Sequence, residues 1–465
     1  MKKIRELVMN EEQILTFIDK NKENYIKFLQ TLIKAESYNP PGNEMNVAVK
    51  IKEYLEQVDL KCDIFPFGDN RSNLIAYLNN EYSGKVLLYN GHMDVVPPGN
   101  EAEWRYPPLS AFRIKDEIFG RGTSDMKGPL AAMVVSLKIL KKLGGSFPGN
   151  LILNAVADEE TGGTKGTKWC LENIFEKNKI KCNFAIIGEP SRLPPLPSAV
   201  IVGEKGRLVL KIITNGISCH SSAPFLGKNA ITMMSDIIHN LYKIENKLKT
   251  LNIITPALTE QEILDLLTPT FPEKEARDKF LEKNNIIKNI IHSLSQFTFS
   301  INLIKGGIKD NVIPDQCEAI MDVRLLPGQS SERTLQCIKE VINEIGYEIH
   351  ESPKKIPGKY FVYIETMIVS EASYWSNWKE SIYLKKFKNI LDQFYKNKCL
   401  YFLFAASSDA HYLRNSNYCP QTIIFGPGNG ISAHTTNESI KIQDYINAIK
   451  IYTLFAYKFL SENIN

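Results

Sequence analysis

Apolar residues recur with helical period near the start of the chain. Tyr25, Phe28, Leu29, Leu32 and Ile33 fall on one face, which predicts an amphipathic helix. Pro40-Pro41-Gly42 ends that segment, and a second helix is expected over Glu44 to Glu56. Apolar runs then predict strands near Asn73 to Leu78, Lys85 to Asn90, Leu151 to Val156 and Phe184 to Ile187. Leu130 to Leu140 is apolar over most of its circumference, as in a helix buried against a sheet. Strand and helix thus alternate to about residue 190, the mark of an α/β layer fold.

The pattern changes after Glu189. Pro190, Pro194, Pro195 and Pro197 form a linker. Beyond it, Leu208 to Thr214 alternates like a strand and Asn229 to Leu241 has the pattern of a helix. A polar stretch rich in Lys and Glu, near 244–296, is expected to be a helical insertion. Phe297 to Ile304 and Glu318 to Leu325 predict two strands, Ser331 to Ile345 a helix and Gly346 to Glu351 a last strand. Strand, helix, two strands, helix, strand is the split βαβ, ferredoxin-like order. Residues 200–355 are therefore expected to form an α+β domain inserted into a larger α/β domain built from 1–199 and 356–465.

A length of 465 residues agrees with two domains. The net charge of +4 is small for this size and does not suggest nucleic acid or an anionic membrane as partner. Met1 to Asn10 has no apolar core of signal-peptide length, and no window approaches the roughly 20 apolar residues of a membrane span. A cytoplasmic location is the default expectation. None of the 8 cysteines lies in a C-x-x-C pair, so neither a zinc ribbon nor a thioredoxin-type site is indicated.

Chemistry concentrates at the predicted strand ends. The strand ending at Asn90 runs into Gly91, His92, Met93 and Asp94; that ending at Val156 runs into Asp158, Glu159 and Glu160; that ending at Ile187 runs into Gly188 and Glu189. Asp125 precedes the buried helix, and His434 arrives late in Ser432-Ala433-His434-Thr435. In an open α/β sheet the carboxyl ends of the strands line one crevice. Imidazole and carboxylate together are ligands that borderline cations such as zinc prefer. Asp125 has two oxygens, enough to bridge two ions, and Glu160, Glu189 and His434 would complete two sites. Asp94, two residues from His92 in extended chain, can hold that imidazole and fix its tautomer. Glu159 remains as a free carboxylate, a natural general base. Each fragment alone is weak, but five bland readings at five strand-end loops would be an improbable coincidence.

The stretches GHMDVVPPG, GRGTSDMKG, ADEETGG, IGEPS, GISCHSSAP, NVIPD, DVRLLPG, FGPG and SAHTTNE occur in order over nearly the whole chain. On these motifs the chain resembles the acetylornithine deacetylase / succinyl-diaminopimelate desuccinylase family of metallopeptidases, which also contains carboxypeptidases, dipeptidases and aminoacylases. The resemblance implies a zinc-peptidase-like catalytic domain, with a mixed central sheet flanked by helices, and a lid and dimerisation domain. It implies two zinc ions, with cobalt a possible substitute: one on His92 and Glu189, the other on Glu160 and His434, bridged by Asp125. Glu159 matches the family's general acid/base and Asp94 its histidine clamp. The peptide bond after Asp125 is expected to be cis.

The resemblance also implies a homodimer in which His220 reaches the partner's active site, there to serve as an oxyanion donor. Asn311 is expected to add a donor near it. Arg324 is either a fork for a substrate carboxylate or a strand residue in a salt bridge. Where many relatives carry an arginine for the substrate's carboxylate, this chain has His411, a weaker and pH-dependent anchor. The expected substrate is an N-acyl amino acid cleaved at its amide, with a carboxypeptidase or dipeptidase acting on short peptides as runner-up. A non-catalytic relative that only binds peptides or metabolites would have no need of Glu159. A serine or cysteine nucleophile is disfavoured, since no G-x-S-x-G elbow is evident.

Overall fold

The computed structural model describes residues 10–79, 84–144, 147–250, 258–395 and 399–461. Residues 1–9, where no signal segment is expected, and 251–257 of the polar stretch lie outside them. The first helix, Glu11–Lys34, begins at an Asn10–Gln13 capping box and buries Ile18, Tyr25, Leu29, Leu32 and Ile33 on one face. The helix Lys127–Lys142 is buried from Lys127 to Leu140, which explains its apolar circumference.

These helices cover a mixed nine-stranded sheet. Its order is Lys61–Pro66, Ser72–Tyr77, Asn150–Val156, Val86–His92, Phe184–Ile187, Thr422–Ile424, Ala199–Glu204 and Ser373–Tyr374, with Leu400–Phe404 also paired to Ala199–Glu204. Val86–His92 runs parallel to both Asn150–Val156 and Phe184–Ile187. All three strands are buried along their length, as a sheet covered on both faces must be. The last helix, Ile442–Ser461, is fastened to the sheet where Tyr89 Oη donates to Tyr452 O at 2.7 Å and Tyr452 Oη donates to Phe425 O at 2.6 Å.

A second, five-stranded sheet has the order Thr298–Gly306, Gln316–Leu325, Gly206–Asn215, Phe361–Ser370, Ile349–His350. Gln316–Leu325 alternates between buried and half-buried positions, as a sheet with one packed face should. Ala230–Asn240 and Ser331–Glu344 supply Met233, Ile237, Ile338 and Val341 to a separate core with Leu208, Leu210 and Met321.

Two expectations need correction. The boundary at 355 is too early, because Phe361–Ser370 pairs with Gly206–Asn215 in the second sheet. Its Glu365, Thr366 and Met367 are exposed, which blurs the apolar signal of that strand. The polar insertion also divides between the two cores. Tyr242–Thr250 buries Ile244 and Leu248 in the smaller one. The helices Glu260–Asp265, Lys274–Lys283 and Asn285–Leu294 place Ile263, Leu281, Ile287 and Ile291 in the larger one. Amphipathic period reveals that a helix has a packed face but not which core receives it. Among the described residues no helix is long and apolar enough to cross a membrane.

Candidate metal centre

The parallel register brings three strand ends to one edge. His92 lies opposite Val156, so the turn carrying Glu159 and Glu160 begins beside it. Asn90 lies opposite Ile187, so Glu189 follows on the other side. Asp158 takes a left-handed backbone, φ 71°, to start the turn Glu159–Thr161, and its carboxylate accepts from Thr161 Oγ1 at 2.8 Å and Lys165 N at 3.1 Å. Asp125 enters from the loop ahead of Lys127–Lys142, and the Asp125–Met126 bond is cis as expected.

The side chains converge. His92 Nε2 is 3.1 Å from Asp125 Oδ1, 3.3 Å from Glu189 Oε1 and 3.9 Å from Glu159 Oε2. His434 Nε2 is 3.1 Å from both Asp125 Oδ2 and Glu160 Oε2. Asp125 therefore offers one oxygen to each imidazole, between a His92–Glu189 pair and a His434–Glu160 pair. His92, Asp125 and Glu160 form one group able to hold an ion, and His92, Glu159 and Glu189 another.

The donor set fits cations better than protons. His92 Nε2 carries at most one proton and faces three carboxylates. Glu160 Oε1 and Glu189 Oε1 are buried without a hydrogen-bond partner. Burial, then the neighbouring Asp125, pushes Glu189 up to about 8. Burial also raises Glu160 and Glu159. Burial would raise Asp125 too, but hydrogen bonds from His434 and His92 outweigh it and hold that carboxyl below the ordinary range. Clustered buried carboxylates are costly unless positive charge compensates them, and nitrogen and oxygen donors of this kind suit zinc.

Asp94 differs in detail from the expectation. His92 Nδ1 lies 2.8 Å from the backbone carbonyl of Asp94, and its nearer carboxylate oxygen is 3.7 Å away. The carboxylate instead accepts from Asn39 Nδ2 at 2.8 Å, Glu159 N at 3.3 Å and Glu160 N at 3.2 Å. One residue thus fixes the His92 ring with its main chain and the Glu159–Glu160 turn with its side chain. Period-two alternation gives the direction of Asp94 but not the choice between its carbonyl and its carboxylate. Asn39 and Glu438 escaped the sequence reading. Glu438 is fully buried and accepts from the backbone N–H of Asp125 at 3.0 Å. Its signal was its place four residues after His434.

Four candidates stand apart from this cluster. His220 is exposed, with Nδ1 2.8 Å from Ser222 Oγ. Asn311 is beside it, its carbonyl accepting from Ser221 N at 3.0 Å and its Oδ1 buried without a partner. Arg324 Nε donates to Asp322 Oδ1 at 2.7 Å, so the salt-bridge alternative describes it and its fork is already engaged. His411 is buried, Nδ1 lies 2.7 Å from Ser408 O, and burial pushes its pKa down to about 4. One ring nitrogen is thus bonded to the main chain, and burial favours the neutral form of the ring.

The profile of peptidase family M20/M25/M40 matches residues 88–458. A Staphylococcus aureus (strain MSSA476) protein named probable succinyl-diaminopimelate desuccinylase is 27% identical over 450 residues, covering 96% of this chain and 99% of that one. A solved M20 family metallo-carboxypeptidase from Sulfolobus solfataricus aligns with a TM-score of 0.74 at 22% identity, covering 94% of this chain and 99% of that one. A di-peptidase from Saccharomyces cerevisiae gives 0.75 at 18% identity, covering 97% and 99%. At these identities the two structures speak to the fold.

Proposed function

Because the chain belongs to peptidase family M20/M25/M40, whose members make it a metal-dependent hydrolase, we propose that it cleaves the amide bond of an N-acyl amino acid at a two-zinc centre. The observation that carries this reading is Asp125, whose two oxygens each face a different histidine–glutamate pair. His92 and Glu189 would hold one ion, Glu160 and His434 the other, and Asp125 both. When bound, the ions supply Lewis-acid polarisation of the amide carbonyl and lower the pKa of water.

Glu159 then removes a proton from the attacking water and passes it to the leaving nitrogen. Its raised pKa supports that role, since a buried carboxyl holds a proton more readily than an exposed one. Asp94 keeps Glu159 and Glu160 in place through their amides. The desuccinylase name of the Staphylococcus relative supports an N-acyl amino acid as substrate.

His220 and Asn311 would donate to the developing oxyanion of a partner subunit. The exposure of His220 supports this, as does the outer strand Thr298–Gly306 with its exposed Leu303 and Ile304, an edge suited to a second copy. The test is a hydrolysis screen of the zinc-loaded and metal-stripped chain against N-succinyl-diaminopimelate, N-acetylornithine, other N-acyl amino acids and dipeptides. Turnover of an N-acyl amino acid that vanishes with the metal is expected. Preference for dipeptides would replace the substrate, and bound metal without turnover of any amide would overturn the reading.

A further inference from the structure

A buried ion pair links two of the loops that build the centre. Glu438 accepts from Ser124 N at 2.7 Å and Asp125 N at 3.0 Å on Oε1, and from Gly122 N at 3.1 Å and Arg121 Nη1 at 2.8 Å on Oε2. A carboxylate that takes three amides of one loop and a guanidinium leaves the backbone of Asp125 little freedom. Arg121 extends the link to the other loop. Its Nη1 also donates to Thr435 O at 3.2 Å and its Nη2 to His434 O at 3.4 Å, while the guanidinium stands over the Trp104 ring at 5.1 Å. Both residues are buried, at 2% exposure for Arg121 and none for Glu438.

The two halves of the centre depend on this clamp unequally. His92 ends a strand paired on both sides and has its ring on Asp94 O, and Glu189 follows a strand whose Gly188 N bonds Asn90 O at 3.0 Å. His434 is half-exposed in a loop, with a left-handed backbone at φ 63°. Two of the bonds that hold this stretch come from Arg121.

We propose that Arg121 and Glu438 are positioning residues that set the centre asymmetrically: Glu438 fixes the shared Asp125, and Arg121 fixes His434, so that loss of Arg121 weakens the Glu160–His434 ion selectively. This inference rests on the two-metal reading. Partners behind metal ligands typically contribute about 10–100-fold to metal affinity. Arg121→Gln removes the charge and the fork, yet leaves Glu438 bonded to three amides.

The test is a stepwise zinc titration of the full metal-free chain, read by competition with a chromophoric chelator. It is accompanied by visible absorption spectra of the cobalt-loaded forms. Wild type binds two ions. In Arg121→Gln one ion is retained with near wild-type affinity, the other is about 10–100-fold weaker, and the cobalt spectrum changes for that ion alone. Glu438→Gln, which loosens the shared ligand, lowers both. Two wild-type affinities in Arg121→Gln, or equal weakening of both, would overturn the proposal and leave the two-metal reading standing. A wild type that binds no second ion would overturn both. Should Arg121→Gln not fold, Arg121→Lys keeps the charge beside Glu438 but lacks the fork to the two carbonyls. It must show the same selective loss, and unchanged affinities there would overturn the proposal.

Discussion

The two sheets treat their candidate residues in opposite ways. In the larger sheet, His92, Asp125, Glu160, Glu189 and His434 meet at contacts of 3.1–3.3 Å. Beside the smaller sheet, His220 is exposed and Asn311 next to it has its Oδ1 buried, and Arg324 is engaged by Asp322 in its own strand. Parallel strands carry successive loops to a single edge, so a site there assembles from the chain's own register. The smaller sheet, whose four long strands pair antiparallel, has no such edge. What His220 does depends on where the whole sheet is placed, by closure or by a second chain.

The sharpest way to break this contrast is Asp125→Ala. The shared ligand then disappears from both halves, and metal content and turnover are expected to fall together, by more than the ~10–100-fold of a change behind the ligands. Metal analysis that finds both ions retained would show that convergence at the strand ends does not make the site. Glu159→Gln is the complementary case. It removes no ligand, so metal stays while turnover drops by about 10²–10⁴-fold. Lost metal, or activity near wild type, would remove Glu159 from the proton-transfer role.

For the smaller sheet, His220→Ala is expected to lower turnover by about 10²–10³-fold, the size of one oxyanion donor. Metal content should not change. Co-expression of His220→Ala with Glu159→Ala subunits then decides where the histidine works. A composite dimer has one site with both groups, so partial recovery is expected. A verified mixed dimer without recovery would mean that His220 acts within its own subunit or not at all.

The same contrast explains what could be read in the sequence. The strand-end ligands were legible because apolar runs mark the strands and the chemistry follows within four residues of each end, as at His92, Glu160 and Glu189. His434 and Asp125 end no central strand; residue type suggested them as ligands, and the family motifs assigned each to its ion. The clamp of Arg121 and Glu438 was not legible, because its ion pair joins residues 317 apart and the loop amides that Glu438 also accepts from leave no mark in composition. The late strand Phe361–Ser370 was lost because its exposed middle interrupts the alternation. The burial of His411 was not legible either, because alignment with a motif says nothing about burial.

The smallest effect concerns the joint between the two sheets. Glu204 ends a strand of the larger sheet and Gly206 begins one of the smaller, with Lys205 between them. Lys205 is buried, and its Nζ donates to Ser293 O at 2.8 Å and Gln296 O at 2.7 Å, at the end of the helix Asn285–Leu294. Burial, then the nearby Arg324, pushes its pKa down to about 8. The unfolded chain keeps a lysine near its ordinary ~10.4. Between these values the unfolded state binds more protons than the folded one, so this residue's contribution to stability rises with pH. Below pH 8 both states hold the proton and the full cost of burying the charge is present. Above about 10.4 neither does, and that cost is gone. The stability of wild type relative to Lys205→Met should therefore climb across this window, by at most about 1.4 kcal/mol per pH unit. Denaturant midpoints at pH 7.5, 9 and 10.5 measure it, these being roughly the ends and middle of the window. Parallel curves for the two proteins would show that Lys205 keeps its proton throughout, and that its three donors, not its burial, govern the joint.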